Sequence, residues 1–89
     1  MQYEWDSVKD ARNRAVHGIA FEDAIAIFAG RTLESEDVRK DYGEDRLVVS
    51  GLLDGRVIVV VYTARGDRRR IISARLANRK ERERYAEGE

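Results

Sequence analysis

The segment RLVVSGLLDGRVIVVVYTARGDRRRIISARL, residues 46–76, decides the fold. Asp54-Gly55 stands between two runs rich in β-branched residues, and Asp-Gly is a strong two-residue hairpin signal. Gly66-Asp67 repeats the pattern before the run that ends at Leu76. Three antiparallel strands are expected: Arg46 to Leu53, Arg56 to Thr63 and Arg68 to Leu76. The middle one is apolar on both faces, which predicts a central, covered strand. On the third, strict alternation groups Arg68, Arg70, Ile72, Ala74 and Leu76. Ile72, Ala74 and Leu76 are expected to face the helices, with Arg70 at the edge of the covered face. Arg69, Ile71, Ser73 and Arg75 point the other way.

Upstream, Tyr3 to Trp5 reads as a short opening strand. Asp6 is placed to cap a helix over Ser7 to His17, with Gly18 as its stop. The apolar set of that helix, Val8, Ala11 and Ala15, is thin. A stronger helix runs from Phe21 to Phe28, with Phe21, Ala24, Ile25 and Phe28 at helical spacing, and ends at Gly30. Thr32 to Asp37 reads as a strand, and Asp41 to Asp45 as a polar turn around Gly43. Downstream, Asn78 and Glu81 form a capping-box pattern before a helix that reaches about Tyr85. No proline, repeat or linker interrupts the chain, so residues 1–89 read as one domain. The expected class is α+β: a small antiparallel sheet, two N-terminal helices and one C-terminal helix, with the helices on one face.

Composition narrows the chemistry. The absence of cysteine excludes disulfides and thiolate metal sites, and a single histidine argues against a histidine-rich zinc site. The longest apolar run, Val57 to Tyr62, is too short to span a bilayer. The start of the chain lacks the basic and apolar regions of a signal peptide, so a cytoplasmic protein is expected, with no membrane partner. The net charge of zero conceals a split. Residues 1–45 carry 11 acidic and 6 basic side chains, net −5; residues 46–89 carry 6 and 11, net +5. That asymmetry points to a polyanion partner for the second half, or to halves that neutralise each other.

Arginine grips phosphate through a planar fork of donors, and aromatic faces stack on bases. The last strand and closing helix supply Arg68, Arg70, Arg75, Arg79, Arg82 and Arg84, and Tyr62 and Tyr85 are candidate stacking faces. The competing reading is a set of solvated charges on an edge strand and a short helix. His17 ends the first helix, where the dipole suits an imidazolium, and Lys9 lies on the same helical line. Taken alone, these read as a capping histidine and a solvated lysine. Glu22 and Asp23 open the second helix, where negative charge suits the dipole better than it suggests a metal site. The same acids disfavour a helix-turn-helix protein, whose second helix must approach DNA phosphates.

Three blocks of the chain resemble the BrnT family of bacterial type II toxins. The first is Trp5-Asp6-x-x-Lys9-x-x-x-Asn13-x-x-x-His17-Gly18-Ile19-x-Phe21-Glu22-x-Ala24, running on to Phe28. The second is Tyr42-Gly43-Glu44-x-Arg46, then Gly51 and the strand ending Val61-Tyr62. The third is Arg70-Ile71-Ile72-Ser73-Ala74-Arg75-x-Ala77, then Glu81-Arg82 and Tyr85. Two features depart from the family: Val16 stands where a lysine usually precedes the histidine, and the turn before Arg70 is unusually charged.

The resemblance implies a RelE-like fold and RNA cleavage that arrests translation. It also implies a hetero-oligomer with a BrnA-type antitoxin, and contact with promoter DNA only through that antitoxin. RNA cleavage needs no metal or other cofactor when the 2′-hydroxyl attacks its own phosphate; the protein positions the strand, moves protons and balances charge. On this reading Arg46, Arg70 and Arg75 balance charge, and His17, Lys9 or Tyr85 handles protons. The resemblance adds Ser73 to that set, while Arg68, Arg79, Arg82 and Tyr62 bind RNA. The alternatives are a non-catalytic module that binds nucleic acid or antitoxin, and a metal-dependent nuclease using Glu22, Asp23 or Glu44.

Overall fold

Asp6 and Gly18 bound the first helix as their chemistry requires. The Asp6 carboxylate accepts from the Lys9 amide at 3.0 Å, and Gly18, at φ 72°, turns its amide back to the Arg14 carbonyl. The structure is a computed structural model that describes residues 1–37 and 43–88. In order, it contains β1 (Gln2–Trp5), α1 (Ser7–His17), α2 (Phe21–Ala24), a 3-10 turn (Ile25–Ala29), β2 (Leu33–Glu36), β3 (Leu47–Leu53), β4 (Arg56–Arg65), β5 (Arg68–Leu76) and α3 (Arg79–Glu87). Asp54 and Gly55 both take positive φ, as a hairpin turn of that sequence demands. Both halves of the Asn78/Glu81 capping box form. Positions 41 and 42 of the expected polar turn lie outside the described residues. No helix among the described residues is long and apolar enough to cross a membrane.

The second helix departs from the expected α-helix. After one α-turn it tightens, and Phe21, Ala24 and Ile27 become the buried stripe. With three residues per turn, positions three apart fall on one line. That line sets Ile27 against Gly51 of β3, where a Cβ would stand 2.7 Å from the Ile27 Cβ. Gly51→Ala should therefore lower the unfolding free energy by about 1–3 kcal/mol, the usual cost of overpacking. Urea denaturation would register it as a lower midpoint at unchanged slope.

The sheet is five-stranded and mixed, in the order β1-β5-β4-β3-β2, where a small antiparallel sheet was expected. β1 runs parallel to β5, and β5 lies inside the sheet along the paired stretch. Four residues with no tight turn to their partner leave no local mark of that pairing. The helices also divide between the two faces. Phe21, Ala24 and Ile27 join Val49, Ile58, Val60, Tyr62, Ile71 and Ala74 in one core. Helix α3 lies over the opposite face, where Glu81 and Arg84 border a cleft with Leu33, Ser35, Val48 and Ser50. A β4 strand that is apolar on both sides requires cover on both, and Val59 on the α3 side is only 1% exposed.

A bulge in β5 overturns the expected alternation. Tyr62 pairs with Ile71 but Val61 pairs with Ser73, so Ile72 is the additional residue. Ile71 and Ala74 consequently both enter the core, and Ile72 does not. Arg70, opposite Thr63, shares the α3-side face with Ser73 and Arg75. Arg69 takes the other face, its guanidinium 4.2 Å from the centre of the Phe28 ring.

Helix α1 is held by polar groups. Val8, Ala11 and Ala15 are exposed rather than facing the core, and Asn13 is its buried residue. β1 ends at the Trp5–Ile71 pair, leaving the edge of β5 uncovered beyond it. The Asn13 amide fills that gap: it donates to the Ala74 and Ile19 carbonyls at 2.8 Å each and accepts from the Ala74 amide at 3.1 Å. Asp10 adds a bond by accepting from the Phe21 amide at 2.9 Å.

Candidate functional site: a cationic cleft between α1 and β5

With Asn13 anchored on Ala74, the adjoining stripe of α1 is fixed beside the β5 bulge. Lys9, Arg12, Asn13, Val16 and His17 recur at helical spacing and form one wall of a cleft of about 360 Å³. Ile72 and Ser73 at the bulge, with Arg46 just before β3, complete it. Among the described residues, the side chains lining it include three cations and one imidazole, and no carboxylate. Low-dielectric walls around like charges concentrate a positive potential, which favours a phosphate.

Lys9, His17, Arg46 and Ser73 from the sequence reading therefore converge. Arg12 also lines the cleft and was not among the expected residues. Its signal was available in its position three residues after Lys9 on the same helical face. Arg46 approaches Glu44 at 3.5 Å.

Arg70 and Arg75 share the sheet face of Ser73 but are held by carboxylates. Arg70 donates to Glu4 at 2.8 Å, with Arg68 on the other Glu4 oxygen at 3.5 Å. The Arg70 bond, reinforced by Arg68, keeps the Glu4 carboxyl below its ordinary range. Arg75 grips Glu81 with both terminal nitrogens, each at 2.8 Å. That fork, helped by the Asn78 amide, draws the Glu81 carboxyl down to about 2.

The Glu81 shift has a pH signature. Its contribution to stability is complete above the ordinary value of 4.5. As pH falls from there towards 2, the unfolded chain takes up the proton first and the contribution is lost. The loss should be about 1–2 kcal/mol for a pair this near solvent. Denaturation across that window should show a flatter curve for Glu81→Gln.

Tyr62 and Tyr85 are placed outside the cleft. Tyr85 is buried; its hydroxyl donates to the Arg31 carbonyl at 2.7 Å, and the Arg31 guanidinium lies 3.9 Å over its ring while donating to its carbonyl. Tyr62 is buried on the α2 side and donates to Glu34 at 2.6 Å. Burial, then the Glu34 bond and charge, push the Tyr62 hydroxyl above its ordinary value. Neither offers a free stacking face, and neither lines the cleft. Arg79 pairs with Glu83 on α3, and Arg82 donates to the Ala77 carbonyl, both away from the cleft lining. Among the described residues no group of three or more His, Asp or Glu side chains is placed to hold a metal ion.

Comparison with known proteins adds a family match. The family described as ribonuclease toxin, BrnT, of type II toxin–antitoxin system matches residues 5–81. No curated protein matches the chain.

Proposed function

The chain belongs to the BrnT family of ribonuclease toxins of type II toxin–antitoxin systems, and from that premise we propose that the α1–β5 cleft cleaves RNA without a metal ion. The observation that carries the reading is the convergence of Lys9, Arg12, Arg46, His17 and Ser73 on one cleft. The RNA 2′-oxygen attacks the adjacent phosphorus, the O2′–P bond forms and the P–O5′ bond breaks. One proton leaves the 2′-hydroxyl and one reaches the departing 5′-oxygen. His17 carries protons, because an imidazole serves as acid and base near neutrality. Lys9, Arg12 and Arg46 balance the charge gathering on the phosphate, and Ser73 donates to one of its oxygens. Arg70 and Arg75 flank the cleft on the same face and guide the strand, with Arg68, Arg79 and Arg82 as outer phosphate contacts.

A type II toxin has an antitoxin protein as partner. A BrnA-type antitoxin that covers the cleft would block RNA and carry the complex to promoter DNA through its own DNA-binding part. The helices packed on antiparallel strands β2 to β5 fit a RelE-like toxin acting on RNA in the cytoplasm. Inducing this chain alone should stop growth and fragment cellular RNA on a gel; co-expression with the antitoxin should prevent both. Intact RNA and unimpeded growth would favour a binding module. Cleavage that survives His17→Ala but not Arg75→Ala would make the histidine structural.

A further inference from the structure

Among the described residues, Val16 and Ile72 are the apolar side chains that line the cationic cleft. Each wall carries one of them. Val16 stands on α1 immediately before His17, and Ile72 stands on β5 immediately before Ser73. Neither belongs to the core: Val16 is 68% exposed, and Ile72 is half-buried outside the core cluster. The bulge is what turns Ile72 out of the ladder. Tyr62 pairs with Ile71 and Val61 with Ser73, so no residue of β4 stands opposite Ile72. Bulges re-aim side chains in this way beside active sites. A single exposed valine on a helix needs no explanation. An apolar side chain on each wall of a cleft that also holds Lys9, Arg12 and His17 does.

We infer that Val16 and Ile72 clamp the faces of the nucleobase whose own phosphate sits among the cations, and that the clamp grips this base without reading which base it is. The inference rests on the phosphate reading of the cleft and deepens it. Charge decides the occupant. Lys9 and Arg12 line the same cleft, so a ligand that satisfies all of it joins an anion to a flat, weakly polar body, as a nucleotide does. Arg12 and Val16 are one helical turn apart on α1, with about 5–6 Å between their Cβ atoms. One ribose links a phosphate to its base, so a phosphate held at Arg12 brings that base to Val16. Apolar side chains meet the ring face, which every base possesses, whereas identity is read by hydrogen bonds at the ring edge. The lining is poor in groups for that second task. Among the described residues it has no carboxylate. The Asn13 amide, which could pair with a base edge, is already bonded through both its nitrogen and its oxygen to the backbone of Ile19 and Ala74.

The test is an NMR titration of the intact chain with the 3′-monophosphates of adenosine, guanosine, cytidine and uridine, and with ribose 5-phosphate, which has the sugar and the phosphate but no base. Each nucleotide should bind at least about fourfold tighter than ribose 5-phosphate, the worth of one buried methylene. The four should lie within about threefold of one another, because a ring face is common to all. The methyl signals of Val16 and Ile72 should move further with the nucleotides than with ribose 5-phosphate. Val16→Ser and Ile72→Ala should each bring the nucleotides to within about twofold of ribose 5-phosphate and leave ribose 5-phosphate bound as before. Variants that weaken ribose 5-phosphate as much as the nucleotides would show that the two side chains only hold the shape of the cleft, and overturn the clamp. Nucleotides bound no tighter than ribose 5-phosphate, or one base preferred more than about tenfold, also overturn it and leave the cleft reading standing. Binding of none of these ligands removes the cleft reading, and the clamp with it.

Discussion

Asn13→Ala should lower the unfolding free energy by about 3–4 kcal/mol, a large share of what a domain of this size has to lose. The side chain makes three bonds to backbone groups of Ile19 and Ala74, all in a buried setting. Alanine removes them together and leaves the Ala74 amide and both carbonyls without those partners; buried polar groups stranded in this way cost more than the bonds themselves contributed. Asn13→Asp keeps an acceptor for the Ala74 amide but turns negative charge on two carbonyls, so it should be no better than alanine. Val8→Ala on the same helix should cost less than about 0.5 kcal/mol, because Val8 is 63% exposed. Urea midpoints for the three variants would separate this account from one in which α1 is held by its apolar residues.

The second large effect is on activity. His17→Ala should reduce RNA cleavage about 10²–10⁴-fold, the range for a lost proton carrier. Arg46→Ala should cost about 10²–10³-fold, as removal of one charge-stabilising donor does elsewhere. Arg14→Ala, on α1 but outside the cleft lining, should stay within about twofold, since its charge acts only through solvent. Initial rates on one RNA substrate, with circular dichroism to show that each variant folds, decide the matter. Equal losses at Arg14 and Arg46 would mean that general charge, not the cleft, drives the reaction.

Much of the fold was legible because its signals are local. Asp54-Gly55, the Asp6 cap and the Asn78/Glu81 box each act within a few residues of themselves. The pairing of β1 with β5 was not, because it joins segments more than sixty residues apart with no turn between them. The β5 bulge was equally silent: alternation read from Arg68 to Leu76 assumes an unbroken ladder, and the additional residue Ile72 exchanged the faces of everything on one side of it. That exchange set Arg70 beside Ser73 and Arg75, which strict alternation had separated. In the site, Lys9 and His17 were readable as one helical line, whereas Arg46 and Ser73 entered through the family resemblance. The role of Asn13 was hidden because a polar residue inside a helix gives no hint that a strand edge lies against it.

The most direct test of the account is the chemistry of the cut ends. RNA incubated with the purified chain in excess chelator should yield fragments ending in 2′,3′-cyclic phosphate and starting with 5′-hydroxyl, and His17→Ala should yield almost none. Fragments that start with 5′-phosphate, formed by an activity that chelator abolishes, would contradict it.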